Sequence, residues 1–159
     1  MVQNVKIRKF RKGDEFEVAK IIRDANQITL KNYYPSAVIK RMSAEARANK
    51  IRKKAIEKNF KVALLGGKIV GFIGLTENRI RSFFVHPSHQ GKGIGRVLIE
   101  MAESDAKILK MKFIQLNSSL FAVKFYKHFG YKKIKNLKPN KKNGRWFEVV
   151  LMKKNLSKS

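Results

Sequence analysis

Cysteine is absent from this 159-residue chain, which excludes disulfide bonds and thiolate chemistry. Acidic residues are scarce, since 11 Asp and Glu stand against 37 Lys and Arg and give a net charge of +26. No apolar run is long enough to cross a bilayer. The first ten residues contain no apolar segment typical of a signal peptide, so we expect a cytoplasmic protein. The three histidines have no carboxylate at metal-ligand spacing, so no metal site is predicted.

The excess of positive charge is the second compositional feature. A field of this sign attracts polyanions such as nucleic acid or ribosomes. The lysines are nevertheless spread along the whole chain, which is typical of a solvated surface. A helix predicted over residues 36–58 has a strongly basic polar face. A basic nucleic-acid- or ribosome-binding module is therefore an alternative function.

The length fits a single domain over residues 1–159, and no repeat or linker-like stretch divides it. Alternating apolar residues predict strands, and apolar residues at helical spacing predict helices. The pair Gly66-Gly67 predicts a tight hairpin turn. The predicted strands cover 4–10, 60–65, 68–75, 79–85, 112–117, a segment that begins at 131, and 145–152. One predicted helix begins at Asp14, and three more cover 36–58, 91–109 and 118–129. A basic tail follows at 153–159.

The stretch from Arg79 to Arg96 organises the chain. Pro87 ends its strand, because proline lacks the N–H that a sheet ladder needs. Three glycines follow within residues 91–95 at a helix start, where glycine costs stability. Without Cβ atoms in the way, a phosphate can bind the free amides at the positive end of the helix. Lys92 and Arg96 add positive charge there, so the stretch predicts a phosphate site.

Two motifs resemble those of a known family. The run Gln90-Gly-Lys-Gly-Ile-Gly95, which follows Val85-His86-Pro87, resembles the acetyl-CoA signature of the GCN5-related N-acetyltransferase (GNAT) superfamily. Residues 122–131, with their Phe-Tyr pair and following Gly-Tyr, resemble a later motif of the same superfamily. The resemblance covers residues 60–135, in the order and spacing of that family.

The resemblance implies an α/β fold with a mixed, mostly antiparallel twisted sheet and helices on both faces. It also implies transfer of an acetyl group from acetyl-CoA, a co-substrate, to a primary amine by direct attack in a ternary complex. Strand residues 83–85 are expected to pair with the pantetheine amides, as an added strand would. The residues assigned to coenzyme binding are Phe83, Phe84, Val85, Gln90, Gly91, Lys92, Gly93, Ile94, Gly95, Arg96, Asn117 and Ser119.

The resemblance gives Tyr126 a catalytic role, the protonation of the leaving thiolate, although a core aromatic would fit the same pattern. Histone-acetyltransferase relatives carry a glutamate base where this chain has Arg79. Glu77 lies two residues earlier and is the candidate base, on the same face as Arg79 if the strand is regular. A solvated turn carboxylate and an ordered water in place of a base are the alternatives.

The acceptor is left open as a small-molecule amine, a protein N-terminus or a lysine. A strongly polycationic amine is disfavoured, because it would approach against the field of the whole protein. We expect a monomer or a homodimer with no membrane partner.

Overall fold

A seven-stranded sheet runs through the protein, and the structure, a computed structural model, describes residues 4–156. The strands are β1 (Val5–Lys9), β2 (Phe60–Leu65), β3 (Lys68–Thr76), β4 (Arg79–Val85), β5 (Phe113–Ser118), β6 (Lys132–Leu137) and β7 (Val149–Asn155). The helices are α1 (Glu15–Ile28), α2 (Ser36–Glu45), α3 (Ala48–Glu57), α4 (Ile94–Ile108) and α5 (Val123–His128). Short 3-10 turns cover Leu30–Asn32, Pro87–His89 and Lys141–Asn143. No helix of this described part is both long enough and apolar enough to cross a membrane.

The strand order is β1-β2-β3-β4-β5-β7-β6. Each neighbouring pair is antiparallel except β4 with β5, which is parallel. A parallel pair needs a crossover connection, and α4 supplies it between β4 and β5. The predicted mixed, mostly antiparallel sheet is confirmed.

The two faces of the sheet are covered by different helices. Successive residues of a strand point to opposite faces, so Phe72 and Ile73 of β3 belong to different apolar clusters. Phe72 packs in the cluster formed with α1 and α3, whereas Ile73 packs in the cluster formed with α4, β5 and β7. The prediction of helices on both faces is confirmed.

The hairpin of β2 and β3 has the predicted strands and turn. Gly66 and Gly67 have φ of 60° and 79°, the positive values that a tight two-residue turn requires. In β3, Gly74 lies at a register shift in the pairing with β4. A Cβ there would lie 2.6 Å from the Phe60 ring, so the predicted close approach at this glycine is confirmed.

The single helix predicted over residues 36–58 is wrong, because the chain forms α2 and α3 with a break between them. Ala46 leaves the helical conformation with ψ of 65°, and Arg47 is extended. The carbonyl of Ala46, freed from the helix, accepts a hydrogen bond from Arg23 at 3.2 Å. The break lets Ile39 and Ile51 pack in two separate apolar clusters, which one straight helix would not allow.

Three predicted boundaries also differ from the structure. The glycine turn precedes α4, which begins at Ile94 and not at Gly91, because Gly93 has a left-handed φ of 87°. The helix predicted from residue 118 begins at Val123, after a turn. The last strand is Val149–Asn155, so part of the predicted basic tail pairs in the sheet. The rest of that tail, 157–159, lies outside the described residues.

Tyr34 joins three parts of the chain through its hydroxyl. The hydroxyl donates a hydrogen bond to the carbonyl of Glu148 at 2.6 Å and accepts one from the amide of Leu120 at 3.0 Å. The ring packs edge-to-face on Phe147, 5.8 Å between centroids. The segment after α1 is thereby held against the chain that follows β5 and the chain that precedes β7.

Replacement of Tyr34 by Phe should lower the free energy of unfolding by about 1–2 kcal/mol, because a half-buried amide and carbonyl lose their partner. Tyr33→Phe is the matched control, since Tyr33 is 46% exposed. Urea unfolding of both variants measures the difference. Equal stability of the two variants would contradict the structural role given to the Tyr34 hydroxyl.

Candidate active site

The seam between β4 and β5 is paired over two residues only. Arg79 lies opposite Gln115 and Ile80 lies opposite Leu116, whereas residues 81–85 have no partner in β5. β5 instead pairs along its whole length with β7. The two strands therefore diverge into a wedge-shaped gap with its apex at Ile80 and its mouth at the end of β4 that leads into the glycine turn.

The unpaired edge of β4 has free backbone groups. The amide of His86 donates to the carbonyl of Val70 in β3 at 2.8 Å, and the directions of backbone groups alternate along a strand. The backbone groups of Phe84 therefore point toward β3, and those of Phe83 and Val85 point into the gap. Phe84, which is also among the residues assigned to coenzyme binding, pairs with Phe72 of β3, and its ring stacks on the Phe72 ring on the α1–α3 side of the sheet.

The glycine turn at the mouth of the gap has the predicted geometry for an anion. Gly91 and Gly93 have φ of 77° and 87°, values that a residue with a side chain rarely adopts. The first amide that bonds back to the turn is that of Val97, which donates to the carbonyl of Gly93 at 3.2 Å. The amides of residues 94–96 precede it and have no acceptor within the helix. Gln90 donates its side-chain N–H to the carbonyl of Val85 at 3.2 Å and so ties the turn to β4.

The charged side chains of the turn are accessible. Lys92 is exposed, and Arg96 forms an ion pair with Glu100 at 3.3 Å while its guanidinium lies 5.2 Å from the centroid of the Phe129 ring. Ile94, by contrast, is buried in the core beneath the turn. The turn therefore combines free amides with two cations, which suits a phosphate or pyrophosphate.

Tyr126 lies beside the gap on the face covered by α4 and α5. Its ring centroid is 6.1 Å from that of Phe83, 5.4 Å from that of Phe125 and 5.6 Å from that of Tyr131. Burial raises the pKa of the Tyr126 phenol above its ordinary value. The phenol is therefore neutral near pH 7 and can donate a proton or a hydrogen bond to developing negative charge.

Two buried links around the site were not predicted from the sequence. The hydroxyl of Tyr131 donates to Glu103 at 2.9 Å, and Lys154 donates to the other oxygen of the same carboxylate at 2.9 Å. His86 lies 2.7 Å from Asp24 of α1, which ties the end of β4 to the helix above it. These partners are far apart in sequence, so no local pattern could have paired them.

Asn117 and Ser119, the predicted partners of the pantetheine arm, lie at the end of β5. Asn117 is exposed, and its side-chain oxygen accepts a hydrogen bond from Arg79 at 3.4 Å. The hydroxyl of Ser119 accepts one from the amide of Ala122 at 3.3 Å, which caps the turn before α5. Asn117 is thus held across the apex of the gap.

A regular strand would have put Glu77 on the same face as Arg79, but the structure has Glu77 outside the strand. Glu77 and Asn78 form the turn between Thr76 and Arg79, and Glu77 is exposed with a left-handed φ of 56°. This turn takes the Glu77 side chain out of the alternation of β4. Arg79 is the side chain that the strand brings to the apex.

A sequence model described as the acetyltransferase (GNAT) domain matches residues 23–156, more than half of the chain. No curated protein sequence matches the chain.

Solved structures share the fold over nearly the whole chain. A GCN5-related N-acetyltransferase from Rhodopseudomonas palustris has a TM-score of 0.90 at 23% identity, over 98% of this chain and 99% of its own. PaiA N-acetyltransferase from Thermoplasma acidophilum, in complex with coenzyme A, has a TM-score of 0.77 at 18% identity, over 96% and 99%. YncA from Salmonella typhimurium, solved with its cofactor acetyl-CoA, has a TM-score of 0.63 at 20% identity, over 99% and 96%.

Replacement of Gly95 by Ala should destabilise the protein, because overpacking of the aromatic cluster behind the gap costs about 1–3 kcal/mol, more than the roughly 0.5–1 kcal/mol that alanine gains over glycine in a helix. A Cβ at Gly95 would lie 3.1 Å from the Phe125 ring. That ring cannot easily move, since it packs on Phe83, Tyr126 and Phe129. Chemical unfolding measures the change.

The same replacement in a Phe125→Leu background is the control, because the smaller side chain leaves room for the methyl group. We expect a smaller loss there, in a double-mutant cycle that isolates the contact. The same loss of stability in both backgrounds would mean that the contact with the Phe125 ring is not what disfavours a side chain at position 95.

Proposed function

Because the chain belongs to the acetyltransferase (GNAT) domain family, we propose that it transfers an acetyl group from acetyl-CoA to an amine. The observation that carries the proposal is the gap between β4 and β5, which ends at a glycine turn with free amides. An elongated coenzyme with phosphates at one end and a thioester at the other matches a gap with an anion site at its mouth.

Bound acetyl-CoA would supply the activated acetyl group. The amides of residues 94–96, with Lys92 and Arg96, would hold its phosphates at the turn. The free backbone groups of Phe83 and the amide of Val85 would hydrogen-bond the pantetheine amides as an added strand does. Left-handed φ at Gly91 and Gly93 and the tight contact at Gly95 support this fit, because a larger residue at any of these positions would disturb the turn.

In the proposed reaction the amine nitrogen attacks the thioester carbonyl carbon, an N–C bond forms and the C–S bond breaks. The Tyr126 hydroxyl gives its proton to the leaving sulfur. The phenol keeps its proton near pH 7, so this proton is available to the sulfur as negative charge develops there. Burial raises the pKa of the phenol and makes it a weaker acid, so the transfer depends on the close position of the sulfur. Positioning of the two substrates supplies much of the rate enhancement.

The proton of the attacking amine needs a different acceptor. The strand brings Arg79 and not a carboxylate to the apex, and Glu77 lies outside the strand. Water takes the proton in this proposal. The positive charges of Arg79 and Arg81 assist, since nearby like charge lowers the pKa of an ammonium group and increases its neutral, reactive fraction.

Replacement of Gly93 by Asp should weaken acetyl-CoA binding at least about tenfold, because a carboxylate at the turn repels the phosphates. Gly93→Asn is the matched control, since it has the same size and the same backbone strain without the charge. Calorimetry on folded protein measures both affinities. Equal affinity of the Asp and Asn variants would show that the phosphates of acetyl-CoA do not bind at this turn.

Replacement of Tyr126 by Phe should lower kcat by roughly tenfold to thousandfold, the range for the loss of one positioned acid. Acetyl-CoA affinity should change little, because the proton matters in the transition state. Thiol release measures kcat, and calorimetry measures the affinity. Unchanged kcat in the variant would assign Tyr126 to the core alone.

A further inference from the structure

One half of the sheet has no helix over it on the α1–α3 side. α1 and α3 cover β2, β3 and part of β4, whereas β5, β7 and β6 expose alternate side chains on that side. The register of the strands puts these side chains in rows that cross the sheet. We call this surface the open face, and its polar members are Arg79, Gln115, Asn117, Lys132, Lys135 and Lys153.

The open face is positive and contains amides but no carboxylate. Its arginine and lysines form no ion pair within residues 4–156, where eight carboxylates pair with other side chains and Glu17, Glu57 and Glu77 pair with none. The nitrogen of Lys153 instead lies 4.3 Å above the Phe113 ring. Four strands at the usual spacing make the surface about 14 Å wide. Its charges are therefore spread over several residues of a bound chain.

Unpaired cations lie at the apex of the gap. Arg79 is in one of the two residue pairs of β4 with β5, and Arg81 follows at the bulge of β4. Neither forms an ion pair within the described residues. Desolvation and the charge of Arg81 lower the pKa of Arg79, which is consistent with like charges on neighbouring side chains. Glu77, the nearest carboxylate in sequence, is exposed and forms no ion pair in that same part of the chain.

Resting on the acetyl-transfer function proposed above, we infer that the acceptor is the amino terminus of an acidic polypeptide. Its carboxylates lie on the open face, and its amine reaches the apex of the gap. The open face supplies cations that such a chain can pair with, and the edge of the face reaches the apex at Arg79 and Asn117.

The chemistry of the apex favours an amino terminus over a lysine. An α-amine has a pKa of about 7.7 and is partly neutral at physiological pH, whereas a lysine at about 10.4 needs a base. The strand offers Arg79 where a carboxylate base would be useful. An acceptor that is already partly deprotonated therefore suits this site.

A polypeptide also fits better than a nucleic acid. Single-stranded nucleic acids stack their bases on exposed aromatic rings. The aromatic ring on the open face, Phe113, is covered by Lys153. Amides at Gln115 and Asn117 between the rows of cations suit the peptide groups and carboxylates of an extended chain.

The test compares two C-terminally labelled peptides, Ala-Glu-Glu-Glu-Glu and Ala-Gln-Gln-Gln-Gln, by fluorescence anisotropy at about 0.1 M salt, where screening acts over about 10 Å. We expect the acidic peptide to bind at least about tenfold more tightly, as several partly exposed ion pairs would give. Equal affinity for the two peptides would overturn the inference.

Three double variants locate the binding. Arg79→Gln with Arg81→Gln, and Lys132→Gln with Lys135→Gln, should each weaken acidic-peptide binding several-fold to tenfold. Lys6→Gln with Lys107→Gln removes the same charge at exposed sites on β1 and α4, and should change affinity less than about twofold. An equal loss in this control would mean that only the field of the whole protein acts, and would overturn the inference. Because Lys132 and Lys135 are exposed on an edge strand, the second variant keeps the test valid if the first fails to fold.

A competition experiment tests the nucleic-acid alternative. If a single-stranded RNA 12-mer displaces the labelled acidic peptide at a lower concentration than the unlabelled peptide does, the inference is overturned. The binding measurements need no acetyl-CoA, so they are independent of the proposed reaction. Thiol release with acetyl-CoA and each peptide then separates the two proposals. Transfer to both peptides with equal efficiency contradicts this inference alone, whereas tight acidic-peptide binding without transfer to either peptide contradicts the proposed function.

Discussion

The interrupted pairing of β4 and β5 is the constraint on which the site depends. Two opposed residue pairs hold the strands together at Ile80, and beyond them the strands diverge because β5 pairs with β7. That divergence leaves the backbone groups of Phe83 and the amide of Val85 without a strand partner in the middle of the sheet, where hydrogen bonds are usually complete. The glycine turn follows directly from this edge, so the elongated gap and the glycine turn are consecutive parts of one strand-turn-helix unit.

The two faces of the gap differ in chemistry. On one face, an aromatic cluster around Phe125 surrounds Tyr126 and keeps its phenol neutral. On the other, Arg79 and Arg81 lie at the edge of a cationic surface. The sheet therefore separates a buried phenol from a partly exposed, positive surface. In the proposed reaction, the acceptor would approach from the positive side and the leaving group would be protonated from the other.

How much could be read from the sequence depended on how local each feature is. The turn at Gly66-Gly67 and the glycine turn at 91–95 were predictable, because glycine adopts positive φ at little cost and its position is visible in the sequence. The break after α2 was not predictable, because it depends on distant parts of the chain. The Ala46 carbonyl accepts a hydrogen bond from Arg23, and the helices on either side of the break pack in different apolar clusters. The sequence left Glu77 open between the strand face of Arg79 and a solvated turn, and the structure has it in the turn, where its left-handed φ of 56° takes it out of the strand alternation.

An unpaired strand edge is normally an aggregation hazard, because another chain can add to it. The free edge of β4 differs in position from such edges, since it lies inside the sheet between strands that close on it at Ile80 and Leu116. Only residues 81–85 of β4 lack a partner in β5, so a foreign strand could add over five residues at most before it met the pair of Ile80 with Leu116. The fold thus keeps a template for strand addition and limits the length of chain that can use it.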